Sequence, residues 1–380
     1  MRIAFTGGGT GGHFYPIIAI AEALRDITRE ERLIEPEFYF LAPAPFDEKA
    51  LFENGIAYVR IRAGKLRRYA SFANLTGVFA TIVGFFAALV ALFRLYPDVL
   101  ISKGGYGSVP SVLAARVLGI PLIIHESDAK PGRANLLAAR FAARIAVSSE
   151  ETAQYFPPKV RSRIARTGIP IRKALMRTER EGARELLKLD PGVPTLLILG
   201  GSQGSMRINE TVVAALPELV DFANVIHQTG QENFENVSAL ARVTLEGHPH
   251  KDRYHAESYL SEAALQRAAG AADLVISRAG ASAIAEIGLW KKPAVLIPLP
   301  ESVSHDQRTN AHAYANTGAA SVLEEENLTP HLLASEARRI LGDPQLAKSM
   351  GERAADTAQP EAARTIAGEA LAIALAHKPS

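Results

Sequence analysis

Cysteine is absent from the 380 residues. That excludes disulfides, thiolate zinc sites and cysteine nucleophiles, and it fits a reducing compartment. An excess of charge of either sign is also missing, with 42 Lys and Arg against 40 Asp and Glu, net +2. No strong attraction to nucleic acid follows from that balance, although local basic patches are compatible with it. There is no strict internal period and no low-complexity linker. A strand-like run starts at Arg2, so no signal peptide is expected. What is present is ordinary globular composition, 48% hydrophobic and 22% charged, in a chain long enough for two domains with their own cores.

The chain alternates between two kinds of segment. Short apolar runs predict strands at 2–6, 37–42, 57–62, 98–102, 121–125 and 144–148, with helical segments such as 14–26 and 108–118 between them. A second series opens near Thr195 with LLILG, NVIHQTG, RYHAESYL, ADLVIS and PAVLIPL. This rhythm predicts an α/β fold with two parallel sheets covered by helices. Proline and glycine interrupt it in RTGIPIRKAL, residues 166–175, the expected boundary. Residues 346–377 read as an alanine-rich helical tail broken at Pro360.

Glycine is concentrated at apparent strand ends. Gly7, Gly9 and Gly12 match G-x-G-x-x-G between a strand and a helix, a dinucleotide pattern. A dehydrogenase also needs an acid at the end of its second strand, and here that strand ends Phe40-Leu41-Ala42-Pro43. The plainer alternative is a tight turn using glycine for positive φ. Five glycines exceed that need, so the backbone there is expected to approach something closely and to display His13. Similar loops occur in LLILGGSQGSMRINE, VISRAGASAIAEIG and ISKGGYGSVPSV. Four such loops argue for a ligand cleft between two sheets.

Taken together, GGGTGGHFYP, KGGYGSVP, HESD, GGSQG, SRAGASAIAE and HDQRTNA have the order and spacing of the MurG family, which the sequence resembles from Arg2 to about Gly342. The resemblance implies an N-acetylglucosaminyltransferase that uses UDP-GlcNAc to turn undecaprenyl-linked lipid I into lipid II for peptidoglycan. It implies the GT-B fold, two Rossmann-like domains facing across a cleft. Residues 1–167 would bind the acceptor and the membrane, 168–345 would bind the donor, and 346–380 would cross back to the first domain. Related GT-B transferases of the glycosyl-diacylglycerol synthase type, and an NAD-dependent oxidoreductase, are the alternatives.

Position by position, the resemblance carries substrate contacts to Thr10, Gly11, Gly12, Tyr106, Asn135, Arg172, Ser202, Asn209, Leu260, Arg278, Ala281, Ser282, Glu286, Gln307 and Asn310. Where the family usually reads H-E-Q-N, this chain has His125-Glu126-Ser127-Asp128, so Asp128 replaces a sugar-contacting amide with a group that, ionised, only accepts. An attacking alcohol needs a general base. His13 is the first candidate and Glu126 the second. Ser202, Ala281, Ser282 and Arg278 would stabilise charge on the departing UDP. No D-x-D occurs, so no cofactor and no required metal are expected.

One segment stands apart. Residues 73–93, ANLTGVFATIVGFFAALVALF, are uncharged and nearly long enough to span a bilayer. Spanning conflicts with a single sheet that has strands on both sides of the segment. Two stripes occur at helical spacing: small (Ala73, Gly77, Ala80, Gly84, Ala87, Ala91) and large (Leu75, Phe79, Ile82, Phe86, Leu89, Phe93). The large stripe is either core or, with Lys65, Arg67, Arg68 and Arg94 at the ends, a patch for anionic lipid. The second reading places the protein peripherally on the cytoplasmic face of the cell membrane. It leaves other cell-wall synthesis proteins open as partners and calls for no nucleic acid.

Overall fold

The computed structural model describes residues 1–376 except Gly9, 65–71 and Ser202; the side chains of 72–75 and of His305 are likewise outside the description. The chain divides into two compact units, Met1–Arg172 with Gln359–Ser380, and Lys173–Ala358.

The first unit is built on seven strands: β1 (Arg2–Thr6), β2 (Glu37–Ala42), β3 (Ile56–Arg60), β4 (Val99–Ser102), β5 (Leu122–Glu126), β6 (Arg144–Val147) and β7 (Ile164–Arg166). They pair in the order β3-β2-β1-β4-β5-β6-β7, every pair parallel. The second unit has β8 (Thr195–Leu199), β9 (Asn224–Gln228), β10 (Tyr254–Glu257), β11 (Leu274–Ser277), β12 (Ala294–Leu296) and β13 (Ala320–Val322). These pair as β10-β9-β8-β11-β12-β13, again all parallel. Both sheets therefore reverse their strand order beside the first strand, between β1 and β4 and between β8 and β11. Strands β4, β5 and β8 are buried along their whole length, which is why they read as unbroken apolar runs. The sequence reading did not find β7 and β13. Each has three residues and lies at a sheet edge, too short to show a period.

Two boundaries differ from expectation. The first unit runs to Arg172 rather than Thr167, and the chain returns to it after Ala358 rather than at Leu346. Helix Pro344–Thr357 belongs to the second unit because it packs on helix Ala281–Trp290. Helix Ala362–Ala376 is the returning element. Ile366, Ala367, Ala370, Leu371 and Ala374 enter the core that contains Ile17, Ile20 and Leu24. Its small residues let helix Gly11–Glu30 lie close, and Glu30 pairs with Arg364 at the rim.

Helix Phe72–Leu95 connects β3 to β4. Its segment Thr76–Leu95 is long and apolar enough to cross a membrane, with mean hydropathy 2.3, yet only 17% of it is buried. A crossing would separate β3 from β4, which are held in one sheet through β2 and β1. Gly77, Gly84, Ala88 and Leu92 face the protein, while Phe79, Ile82, Phe86 and Phe93 are exposed, Phe79 by 69% and Phe86 by 60%. Two stripe assignments are corrected: Ala87 is exposed, and Leu89 is half-buried against the core. The inward line is Gly77-Gly84-Ala88 because neighbouring backbone lies against it. A Cβ on Gly84 would stand 1.7 Å from the Arg62 carbonyl oxygen. Lys65, Arg67 and Arg68 lie outside what the structure describes, as do the side chains of Ala73 and Leu75.

Gly84→Ala should therefore destabilise the protein by about 1–3 kcal/mol through overpacking. Gly368→Ala, on a helix with open space where its Cβ would go, should stabilise it by roughly 0.5–1 kcal/mol. Urea unfolding of the two variants compares them. Equal midpoints would mean the helix is not seated at Gly84.

Candidate active site

In the first unit three loops meet at the carboxyl ends of β1, β4 and β5. Gly104 and Gly105 both have φ +77°, a conformation side chains rarely adopt. A Cβ on Gly105 would lie 2.9 Å from the Gly8 carbonyl oxygen and 3.8 Å from His13 Cδ2, and one on Gly104 would lie 2.8 Å from the Asn135 amide. Much of the glycine in these two loops exists so that the loops can touch. Thr10 caps helix Gly11–Glu30 in extended backbone, and its carbonyl accepts from His13 and Phe14 N–H at 3.1 and 3.2 Å. Its hydroxyl pairs with His13 Nδ1 at 2.9 Å instead of capping the helix. Gly12 is exposed at this turn and Gly11 and His13 are half-buried. Desolvation pushes His13 down to about 4; the Lys103 ammonium adds to this and Asp128 opposes it. At neutral pH the imidazole is uncharged.

The end of β5 supplies a buried polar cluster. The carbonyl of Gly168 can only accept, so His125 donates Nε2–H to it at 2.8 Å. His125 Nδ1 then receives the Lys103 ammonium, which also contacts Ser127 Oγ. Burial holds His125 well below its ordinary value. The Glu126 carboxylate accepts from Asp128 N–H at 3.0 Å, Gly132 N–H at 2.9 Å and Asn135 Nδ2 at 3.0 Å. Burial raises its pKa, and Asp128 raises it further. Glu126 thus braces the turn 126–132 that carries Asp128. Asn135 also donates to the His125 carbonyl at 3.1 Å, while its Oδ1 is buried without a hydrogen-bond partner. Tyr106 stands at the rim, 37% exposed. Arg172 stacks its guanidinium 3.9 Å from the centre of the Tyr15 ring. Pro43 occupies the place where an oxidoreductase would carry its ribose acid, packed so close to Gly107 that a Cβ there would come within 2.9 Å.

In the second unit the corresponding loops follow β8 and β11. Ser205 caps helix Met206–Val220, and Asn209 in its first turn is buried. Asn209 donates to the Thr229 carbonyl at 2.9 Å and accepts from His227 Nε2 at 3.1 Å, while His227 Nδ1 faces the Tyr254 hydroxyl at 3.1 Å. Burial lowers His227 to about 3, so this relay is neutral. Gln228 donates to the Gly201 carbonyl at 3.1 Å and accepts from Leu260 N–H at 3.0 Å, tying the glycine loop to Leu260. Arg278 is buried. It donates to the carbonyls of Ile297 and Pro298 at 3.1 and 3.3 Å and to Ser205 Oγ at 2.6 Å, and pairs with Glu325. Its guanidinium binds the strand ends to the Ser205 loop.

Helix Ala281–Trp290 starts at Gly280 with no side-chain cap. Ser282 Oγ is buried there without a hydrogen-bond partner, and Glu286 follows one turn later, half-buried. Gln307 accepts from Leu299 N–H at 3.2 Å, and Asn310 is buried three residues further along helix His305–Ala315. Ser202 lies outside the described residues. Among the described residues no group of three or more His, Asp or Glu could hold a metal ion. Lys103, Ser205, His227 and Gln228 were missed by sequence reasoning. Lys103 alone carried a signal, as a charge directly continuing the buried run Val99–Ser102.

Residues 3–147 match the glycosyltransferase family 28 N-terminal domain, and residues 195–366 match its C-terminal domain. A UDP-N-acetylglucosamine–N-acetylmuramyl-(pentapeptide) pyrophosphoryl-undecaprenol N-acetylglucosamine transferase from Treponema denticola is 33% identical over 98% of this chain and 96% of its own length. The transferase of that name from Lachnospira eligens is 37% identical over 90% and 91%. The crystal structure of Acinetobacter baumannii MurG superposes with a TM-score of 0.72 at 27% identity, covering 98% of this chain and 99% of that one. With both halves of the fold and the full length of these relatives matched, the chain belongs to the MurG family of family 28 glycosyltransferases.

Proposed function

We infer that this chain is an inverting transferase that moves N-acetylglucosamine from UDP-N-acetylglucosamine to the 4-hydroxyl of N-acetylmuramic acid in lipid I, forming lipid II for peptidoglycan. The observation that carries the reading is the full-length identity to transferases whose names state that donor and that acceptor. Neither a glycosyl-diacylglycerol acceptor nor a nicotinamide cofactor has comparable support.

The chemistry assigns His13 as general base. For that role Nδ1–H donates to Thr10 Oγ1, leaving the Nε2 lone pair for the acceptor proton. The 4-hydroxyl oxygen bonds to the anomeric carbon as its proton passes to Nε2. The bond to UDP breaks and its electron pair stays on the diphosphate. Asp128 offsets the charge of the imidazolium that forms. Glu126, engaged by two backbone amides and Asn135, serves better as the brace of that turn than as a second base. In the donor unit the start of helix Ala281–Trp290, with the unpartnered Ser282 hydroxyl, suits the diphosphate, and Glu286 suits the ribose hydroxyls. The reading needs no resident metal.

A lipid-linked acceptor requires access to a membrane surface. The exposed Phe79, Ile82, Phe86 and Phe93 on helix Phe72–Leu95, with Arg94 at its end, suit peripheral attachment to anionic lipid on the cytoplasmic side. Each large side chain buried in lipid contributes about 1.5–3 kcal/mol, and each basic residue about 1 kcal/mol.

Radiolabelled transfer from UDP-N-acetylglucosamine to lipid I tests the reaction; no labelled lipid II with intact enzyme would end the reading. In that assay His13→Ala should lower kcat by about 10²–10⁴-fold while UDP affinity stays the same. Full activity in the alanine variant would remove His13 from the base role. Separately, Phe79→Asp with Ile82→Asp should abolish salt-sensitive binding to anionic vesicles while circular dichroism and turnover on a short soluble acceptor persist. Unfolding of that variant would make the face part of the core, and retained vesicle binding would place the attachment elsewhere.

A further inference from the structure

Lys103 is a charged side chain only 2% exposed. Its backbone N–H donates to the Thr6 carbonyl at 2.9 Å, so it continues β4 one residue past the paired strand. Its side chain crosses above Gly7, where a Cβ would stand 3.1 Å from Lys103 Cβ. Nζ then reaches His125 Nδ1 and Ser127 Oγ. Because His125 donates its other ring proton to Gly168, the ammonium is the donor to Nδ1. These contacts use two of its three N–H groups. A buried ammonium is expensive to desolvate and persists only where it is well partnered; here burial lowers Lys103 to about 8, and Glu126 and Asp128 offset part of that cost, so the side chain is charged at neutral pH.

We propose that Lys103 is a positioning residue of the transfer reaction: its ammonium ties the end of β4 to His125 and Ser127 and so fixes the turn that carries Asp128 beside His13. This rests on the assignment of His13 above for its kinetic readout alone. It also accounts for the departure at 127–128. A short hydroxyl at Ser127 lies within reach of the ammonium, and the carboxylate of Asp128 balances its charge. The groups facing His13 are the Thr10 hydroxyl from its own helix, Lys103 from the end of β4, and His125 and Asp128 from the end of β5. After desolvation, Lys103 is the main influence keeping the imidazole uncharged, with Asp128 acting the other way. His13 protonates as pH falls through its pKa, and a protonated imidazole accepts no proton. Without Lys103 that loss of function should begin at higher pH.

The test follows the imidazole of His13 by ¹⁵N NMR in the full chain, together with kcat and both KM values from pH 4 to 9. Wild-type His13 should titrate near 4. In Lys103→Met the midpoint and the acid limb of kcat should both rise by at least one pH unit. KM for lipid I should rise several-fold and KM for UDP-N-acetylglucosamine should not move. A midpoint that stays in place in folded Lys103→Met overturns the proposal. A midpoint that rises without the kcat limb leaves Lys103 in its role and removes His13 from catalysis. Should Lys103→Met fail to fold, Lys103→Gln, which keeps an N–H donor for Ser127 without the charge, takes its place under the same criteria, and a wild-type midpoint at 6.5 or above overturns the proposal outright.

Discussion

The contact between the loop after β1 and the loop after β4 is the constraint on which the first unit's site depends. In a parallel sheet whose order reverses between these strands, the two connections leave in opposite directions and open a crevice at their carboxyl ends. Here the loops close back over that crevice until the Gly8 carbonyl stands 2.9 Å from where a Gly105 side chain would begin. Only bare backbone with positive φ permits this. The approach brings His13 from one strand, Lys103 from the next and the 126–132 turn from a third within electrostatic reach of one another. A methyl group at Gly104 or Gly105 would separate them.

The two units solve a similar problem with similar means. Each carries a buried histidine held neutral by desolvation and used as a fixed hydrogen-bond relay: His125 between Lys103 and the Gly168 carbonyl, His227 between Tyr254 and Asn209. A neutral imidazole presents one donor and one acceptor in fixed directions, so it orients groups on either side without adding charge. Arg278 is the charged counterpart in the second unit. Its guanidinium holds strand ends, a capping serine and Glu325 together.

Helix Phe72–Leu95 shows the opposite economy. One line of small residues seats it against neighbouring backbone, and the remaining apolar surface is left outside. Such a surface is unfavourable in water and favourable against lipid. Because β3 and β4 at its ends share a sheet, the helix can lie on a membrane but cannot carry the chain through one.

The sequence by itself determined the two parallel α/β halves, since strands buried on both faces appear as apolar runs between helical segments. It also determined the family, through glycine loops whose spacing reflects backbone approach, and it marked Phe79, Ile82 and Phe86 as one stripe. It did not reveal β7 and β13, because three-residue edge strands carry no period. Nor did it reveal that the chain stays in the second unit to Ala358, because the alanine-rich pattern of residues 346–377 suits either docking surface. Whether Leu89 or Ala87 faced the protein depended on how far the helix rotates to seat Gly84 on the Arg62 carbonyl. The partners of Lys103, Glu126 and Arg278 were decided by tertiary structure alone. A charged residue in a motif reads as a ligand contact from sequence, whereas its hydrogen-bond partners, 19 to 73 positions away for Arg278, exist only once the strands are aligned.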